Sequence, residues 1–427
     1  MSRETASRHA QFVPKGTHKP SSAAVLALPG RPGSASVSAR VSDGTTIDDA
    51  ATAGRMPDEL ELRPVDGFPR WLGTRFARAV LRLVSMEEND AEPLARMVTP
   101  TAGYFRRDRH VHPAVDPETY RLRITGVAAP RELTLGELQA LPRETRVCVQ
   151  ECAGNGNHIM GSAGLCGQAV WSGPTFETLL ELAGGPGPAT HFACHGLDDL
   201  GIIKRGYHYG LSLDELRKAG AIIALTMNGE PLSRRHGFPS RLIVPKIYSM
   251  SHVKWLGHIE GKTKPHMGIH NRLVFTNKEL RAGKWVRVQA RWIGLKSVIA
   301  HCRRDGAAWL LTGCAWGGTN PVSAVEVSTD GGKTWLPARV QSPADYFRDQ
   351  GIPPGGPELA GAWSVFTIPW HPPGPGTYKL GCRAIDDHGA VQLPDNDPAV
   401  HGHFNQTRIK WRIVKVPEQR MLPGPRG

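Results

Sequence analysis

Cys152 stands in the run Val149-Gln150-Glu151-Cys152-Ala153-Gly154-Asn155-Gly156, where small residues after the thiol leave its sulfur open to a bulky partner. Gly and Asn tolerate backbone conformations that let other groups approach closely. An apolar strand at 146–149 delivers the cysteine to this loop. Such a thiol is a candidate metal ligand or nucleophile. The plainer alternative is a buried small residue, since free cysteine is among the most buried types. Zinc fits poorly, because Cys148 and Cys152 would still need two partners, and Cys148 reads as strand filling. Cysteine-nucleophile catalysis needs a histidine and an orienting amide elsewhere, and eighteen histidines neither support nor exclude it.

The elements that must position this thiol fall into two textures. From about 100 to 284 short strands alternate with short helices. A strand is expected over 120–126, a helix over 134–141 with Thr134 as N-cap, further helices over 174–183 and 212–219, and strands over 191–194, 221–226 and 241–244. Loops on such a mixed α+β scaffold are where sites are built. From about 285 to 416 the pattern turns to β. Residues 322–330 alternate and then turn through Asp330-Gly331-Gly332 into a returning strand at 333–336, a strong hairpin signal. Strands at 363–369, 376–386 and 408–416 complete an immunoglobulin-like β-sandwich, read as a structural or dimer-forming module. Ahead of both, 1–60 is an Ala/Ser/Gly/Pro-rich leader without periodicity and 61–99 a helical lead-in. In the lead-in, Trp71, Phe76, Val80 and Leu83 sit near helical spacing over 67–86, suited to packing on the next domain or to a membrane surface. Residues 417–427 form a tail.

The chain of 427 residues carries a formal charge of +13, of which residues 1–60 supply only one unit. The excess belongs to the folded body. Its basic residues are dispersed in pairs such as Arg106-Arg107, Arg234-Arg235 and Arg303-Arg304, which argues against nucleic acid and for small anions. No run approaches the roughly 20 apolar residues of a membrane span. Seven scattered cysteines are not a disulfide framework, and neither a Cys-x-x-Cys-His haem motif nor a four-cysteine iron–sulfur run is present. Electrons leaving this protein must therefore pass to another. Without a secretory or twin-arginine leader the chain is expected in the cytoplasm, with the periplasm as the alternative.

Eight runs, in order, resemble the sulfite oxidase family of molybdenum-pterin oxidoreductases over roughly residues 100–415. They are Phe105-Arg106-Arg107-Asp108-Arg109 with Asp116-Pro117-Glu118-Thr119-Tyr120; Cys152-Ala153-Gly154-Asn155; Trp171-Ser172-Gly173; Gly196-Leu197-Asp198; Met227-Asn228-Gly229-Glu230-Pro231-Leu232; His236-Gly237-Phe238-Pro239-Ser240-Arg241; Val253-Lys254-Trp255-Leu256; and Ser328-Thr329-Asp330-Gly331-Gly332-Lys333-Thr334-Trp335. The resemblance implies a molybdopterin-binding α/β domain followed by an immunoglobulin-like dimerisation domain, and Cys152 as the protein thiolate on molybdenum. Soft thiolate donors suit such a metal. It implies cofactor contacts at Phe105, Arg107, Asp108, Arg109, Asp198, His236, Arg241, His252 and Lys254, with Arg107 facing an oxyanion or sulfur substrate as a catalytic residue. Arginine forks and lysine suit phosphate.

The chain departs from sulfite oxidases proper in three places. Gly156-Asn157 replaces an arginine pair, Ser251 replaces an arginine, and 262–279 holds no counterpart of the active-site tyrosine. Each lost guanidinium removes a charge-assisted contact of about 1.5–3 kcal/mol. Leu295-Lys296-Ser297-Val298-Ile299 and the Lys254 region are more similar to the catalytic subunit of bacterial sulfane dehydrogenase. The resemblance implies oxygen-atom transfer at sulfite or sulfane sulfur, possible on a carrier protein, with electrons given to a separate c-type cytochrome and with a homodimeric assembly. The alternatives are an S- or N-oxide reductase on the same scaffold and a non-catalytic assembly protein.

Overall fold

The computed structural model describes residues 57–64, 86–87, 91–156, 164–198, 206–350, 359, 361–402, 404 and 406–418. The leader before 57, the helix expected over 67–86 apart from Met86, Asn157 and the tail beyond 418 lie outside the described residues. The first body contains β1 (Arg121–Thr125), β2 (Arg131–Thr134), α1 (Leu135–Ala140), β3 (Glu144–Glu151), β4 (Cys166–Gly173), α2 (Phe176–Leu182), β5 (His191–Gly196), β6 (His208–Ser212), α3 (Leu213–Ala219), β7 (Ile222–Ala224), β8 (Arg241–Ile243) and β9 (Leu256–Lys262). Each helix starts at a hydroxyl. Thr134, Thr175 and Ser212 accept the backbone N–H three residues on, and Glu137 and Glu215 complete capping boxes at the first and third. Gly220, in the left-handed region at φ 65°, ends α3.

Two sheets organise this body. One has the order β2-β1-β9-β5-β6, with β1 and β9 parallel and the other pairs antiparallel. The other sets β3 against β4 in an unbroken antiparallel register from Glu144↔Gly173 to Glu151↔Cys166 and continues through Thr226–Met227 and Glu230–Pro231. From Arg146 to Glu151 every residue of β3 is buried, so the strand that carries Cys152 is covered on both faces.

A hairpin of β10 (Thr276–Arg281) and β11 (Lys284–Gln289) pairs with Val400–His401 and separates this body from the sandwich. The sandwich contains β12 (Lys296–Asp305), β13 (Ala308–Trp316), β14 (Val322–Ser328), β15 (Arg339–Gln341), α4 (Pro343–Asp349), β16 (Ser364–Trp370), β17 (Gly376–Asp386) and β18 (Arg412–Val416). Its sheets run β12-β13-β16-β15 and Arg63–Pro64-β18-β17-β14-Leu336–Pro337. Ile299, Leu311 and Phe366 from one sheet meet Val325, Leu380 and Val414 from the other in a dry core. Residues 57–60, expected as the end of the leader, and 61–64, expected as the start of the helical lead-in, lie instead against the sandwich. Leu60 packs into the sandwich core, and Arg63–Pro64 adds to its edge.

The hairpin after β14 forms with a later return than the pattern suggests. The return starts at Leu336–Pro337, with Ala338 N donating to Val325 O, because the Asp330 carboxylate accepts Lys333 N, Thr334 N and Thr334 Oγ1 at 2.9, 3.0 and 2.6 Å and holds 333–334 in the turn.

Trp363, fully buried, joins the two bodies. Its backbone N–H donates to Gln168 Oε1 on β4, its indole N–H donates to Arg96 O and Met97 O at 3.1 and 3.2 Å, and its ring lies 6.2 Å from Trp316. Trp363→Ala is expected to cost about 3–5 kcal/mol in urea unfolding. A loss below about 1 kcal/mol would show that the junction does not carry this packing.

Candidate functional site

Cys152 follows directly on β3, where its N–H donates to Leu165 O at 2.9 Å and its carbonyl accepts Asn155 N at 2.8 Å. Asn155 clamps the loop from within, accepting Leu165 N at 3.0 Å and donating to Glu151 Oε1 at 3.1 Å. Gly156 has φ 69°, and Lys410 Nζ donates to its carbonyl. A Cβ at 156 would lie 2.6 Å from Lys410 Cε, the movable end of a flexible side chain, so it is the left-handed conformation that favours glycine there. Burial pushes the Cys152 thiol up, opposed by the Gly154 N–H and then by the Arg107 guanidinium.

Behind the cysteine, the fully buried Glu151 carboxylate accepts Lys296 Nζ at 2.6 Å and Trp316 Nε1 at 2.9 Å, both from the sandwich. Lys296 also donates to the Tyr248 hydroxyl at 3.0 Å. Burial alone would lower the Lys296 pKa, but Glu151 and then Tyr248 reverse the effect and hold it well above its usual value.

In front of the cysteine opens a cavity of about 400 Å³. All ten residues singled out from the sequence line it: Phe105, Arg107, Asp108, Arg109, Cys152, Asp198, His236, Arg241, His252 and Lys254. Arg107 and Arg109 are exposed, whereas Asp108 between them is buried and accepts Arg106, His112 and Lys254. Burial, then Arg106 and Arg107, pull the Lys254 ammonium down to about 7, so an anion arriving beside it would favour its charged form. Arg241 is buried over the Trp171 ring at 5.3 Å, and burial lowers its guanidinium to about 10. Asp198 is buried, accepting Tyr207 N at 3.0 Å and facing His110 Nδ1 at 3.1 Å; burial raises its carboxyl, and those two contacts oppose the rise.

His252 donates from Nε2 to Val244 O at 2.8 Å, which leaves Nδ1 to accept Gln150 Nε2. Burial, then Arg241, pulls His236 down to about 4 and His252 to about 3.

The sequence reading missed Gln150, Tyr207 and His270 in the cavity wall. Tyr207 donates its hydroxyl to Met250 O at 2.7 Å, so a tyrosine reaches the cavity from the segment after Asp198 and not from 262–279. Nothing in residue spacing marks it. Ser251 does not line the cavity; it is buried, with its hydroxyl on Tyr248 O at 2.8 Å.

The donor set can be tested against a metal–pterin group. Among the described residues, three or more clustered His, Cys, Asp or Glu ligand atoms occur only at Asp386, Asp387 and His388, on the sandwich. A metal at Cys152 would therefore have one soft protein ligand and need most of its donors from another molecule, as a dithiolene supplies. Arg241 Nε and Gln150 Oε1 are buried without a hydrogen-bond partner, and groups of that kind call for a polar ligand in the cleft. The residues fit the group.

Comparison with known proteins agrees with this geometry. Residues 109–270 match the oxidoreductase molybdopterin binding domain, and residues 296–416 match the Mo-co oxidoreductase dimerisation domain. Rat mitochondrial sulfite oxidase is 27% identical over 403 residues, covering 84% of this chain and 70% of that protein. Human mitochondrial sulfite oxidase is 29% identical over 372 residues, with 79% and 65% covered. The chain thus spans about two thirds of the length of these mammalian relatives. In fold it is similar to the sulfane dehydrogenase SoxCD of Paracoccus pantotrophus, with a TM-score of 0.67, 22% identity, and 88% of this chain and 96% of that chain covered.

Two outcomes follow for the protein in solution. Lys296→Met strands the buried Glu151 carboxylate and is expected to cost about 3–5 kcal/mol, much of it recovered in Glu151→Gln/Lys296→Met. Urea unfolding of the three variants measures this, and a harmless single variant would refute the coupling. Separately, unfolded imidazoles bind protons from about pH 6.5 downward, whereas folded His236 and His252 stay neutral to about 4 and about 3. Stability is therefore complete above the unfolded pKa and falls as pH drops toward the folded values, by up to about 1.4 kcal/mol per pH unit for each histidine. Unfolding free energies that stay flat between about pH 7 and about pH 4 would contradict neutral burial.

Proposed function

The chain belongs to the sulfite oxidase family of molybdenum-pterin oxidoreductases, and from that premise we propose that it transfers an oxygen atom to a sulfur substrate and passes two electrons to a separate redox protein, a c-type cytochrome. The observation that carries this reading is the single thiol of Cys152 at a cavity lined by Arg107, Arg109, Arg241 and Lys254. When bound, the molybdenum-pterin cofactor supplies the two-electron redox and oxygen-transfer chemistry, with Cys152 as its protein ligand. Phe105, Arg107, Asp108, Arg109, Asp198, His236, Arg241, His252 and Lys254 are the residues proposed to hold it. Buried Arg241 and half-buried Lys254 would offer charge to its phosphate, and Asp198 would offer a carboxylate to its polar groups, while His252, tied to Val244 O and Gln150, shapes the wall.

Arg107 is exposed and ties one guanidinium nitrogen to Asp108 O at 2.7 Å, which aims the fork. It would attract an anionic substrate and stabilise charge developing on oxygen. Sulfane sulfur on a carrier protein is the substrate we favour over free sulfite. Ser251 brings no positive charge, and Ile269 and Leu273, beside His270 and Val274 of the cavity wall, are 58% and 53% exposed. Exposed apolar side chains of that size suit a protein surface better than a small ion. The dimerisation domain supports a homodimer.

Expression in a host that makes the pterin tests the reading. The parent protein is expected to hold close to one molybdenum per chain, and Cys152→Ser to retain less than about a tenth of that. Arg107→Ala is expected to keep the metal and lower kcat/KM by about a hundredfold with cytochrome c as acceptor. A molybdenum-free parent protein, or Cys152→Ser with unchanged metal and activity, would refute the proposal.

A further inference from the structure

Five histidines form a file that starts in the cavity and ends at the surface. His270 lies buried in the cavity wall, with its ring centre 4.7 Å from Tyr207 and 5.9 Å from His208. His208 Nδ1 and His266 Nε2 are 2.8 Å apart, so one proton lies between them. His266 also lines a second groove, open on the surface, together with Arg287 and Arg291. A branch runs across the sheet, because the ladders set His208 of β6 opposite His195 of β5, and His195 opposite His258 of β9. Directly opposed residues share a face, and these ring centres are 5.4 and 5.2 Å apart. His195 Nε2 lies 3.5 Å from the Glu260 carboxylate, which is 35% exposed and holds Lys262 at 2.9 Å. His258 Nε2 meets Thr125 Oγ1 at 2.7 Å.

Such a cluster invites a metal, yet among the described residues no three of these ligand atoms lie within 4.8 Å of one another. The shape is a line, not a cage. We propose that this file, from His270 through His208 to His266 with a branch through His195 to Glu260, conducts protons between the cavity and the surface. The proposal rests on the oxygen-transfer reading. Oxidising a sulfur centre with the oxygen of water forms an S–O bond, breaks both O–H bonds, and releases two electrons to the acceptor protein and two protons. Those protons must leave a cleft that cofactor and substrate fill.

Neutral imidazole suits the task, since it accepts a proton at one nitrogen and donates from the other. Burial above all, then His258 and His208, holds His195 down at about 4; burial, then Arg109 and His208, holds His270 there too. Burial likewise lowers His258 and His266. His195, His258, His266 and His270 are therefore biased toward the neutral form near pH 7, so none of these four traps the proton. The titratable and charged groups that face it are Arg109 and His110 at the cavity end, Arg123 and Lys262 beside His258, Glu260 beside His195, and Arg287 and Arg291 in the groove with His266. The His270 and His208 rings are 5.9 Å apart centre to centre, a step that a bridging water would complete.

His208→Gln and His266→Gln test the file, in the molybdenum-loaded enzyme and in the cofactor-free protein. At saturating substrate and acceptor, kcat is expected to fall at least about tenfold while KM and molybdenum content stay within about twofold, and added imidazole to restore most of the lost rate. A packing defect would not respond to imidazole. In the cofactor-free protein, nitrogen-15 histidine spectra are expected to show shared titration steps for His195, His208 and His266, with His266→Gln displacing the other two. A kcat within about twofold of the parent, a loss that imidazole leaves untouched, or titrations indifferent to His266→Gln would each overturn the proposal. Where a variant fails to fold, His195→Gln applies the same test at the surface end. If the unaltered loaded enzyme oxidises no sulfur substrate, the functional reading fails instead, and the cofactor-free titration still decides whether the file shares protons.

Discussion

The buried pairing of Glu151 with Lys296 is the interaction on which the rest of the structure depends. Glu151 precedes Cys152 in the chain, and its oxygens are filled by an ammonium and an indole from the sandwich and by the amide of Asn155 from the cysteine loop. Removing two charges from water is expensive, so such a pair adds little net stability. What it adds is register. Strand β3 and strand β12 can meet in only one way that leaves neither charge stranded, and that way fixes the turn presenting the thiol. The sandwich is therefore part of the site's scaffold as well as a dimerisation domain.

A second constraint acts in the opposite direction. Facing the thiol, cationic groups outnumber the carboxylates that balance them. Asp108 serves Arg106, His112 and Lys254, while Arg107 and Arg109 stay exposed and Arg241 is buried with no carboxylate beside it among the described residues. Desolvated cations of this kind raise the free energy of the vacant cleft and lower it when an anion enters. The dispersed positive charge of the chain has its local use here, which explains why it forms no continuous patch.

Much of this was legible in the sequence because it depends on local chemistry. The hydroxyl cap at Thr134, alternation over 322–328, and the Gly and Asn after Cys152 each act within a few residues. All ten residues chosen from the resemblance, nine of them within the quoted runs, line one cavity. What escaped depends on distant chain segments. Lys296 looked like part of a subfamily motif, and nothing near it indicates a partner 145 positions away. Tyr207 and His270 gain their place only when β6 and the 270–274 turn fold against the cleft. The late return after β14 was misjudged because alternation was weighed above the capacity of Asp330 to hold a turn. The strand at Arg63–Pro64 has too few residues to show any period.

The central claim is that Cys152 gives the one protein bond to a molybdenum ion seated in this cavity. Molybdenum K-edge X-ray absorption on the loaded protein and on Cys152→Ser, reconstituted with excess cofactor, tests it most directly. The account predicts that the variant's metal has one fewer sulfur neighbour than the parent's. An identical sulfur count in both would contradict it, because the thiolate would then belong to no bond at the metal.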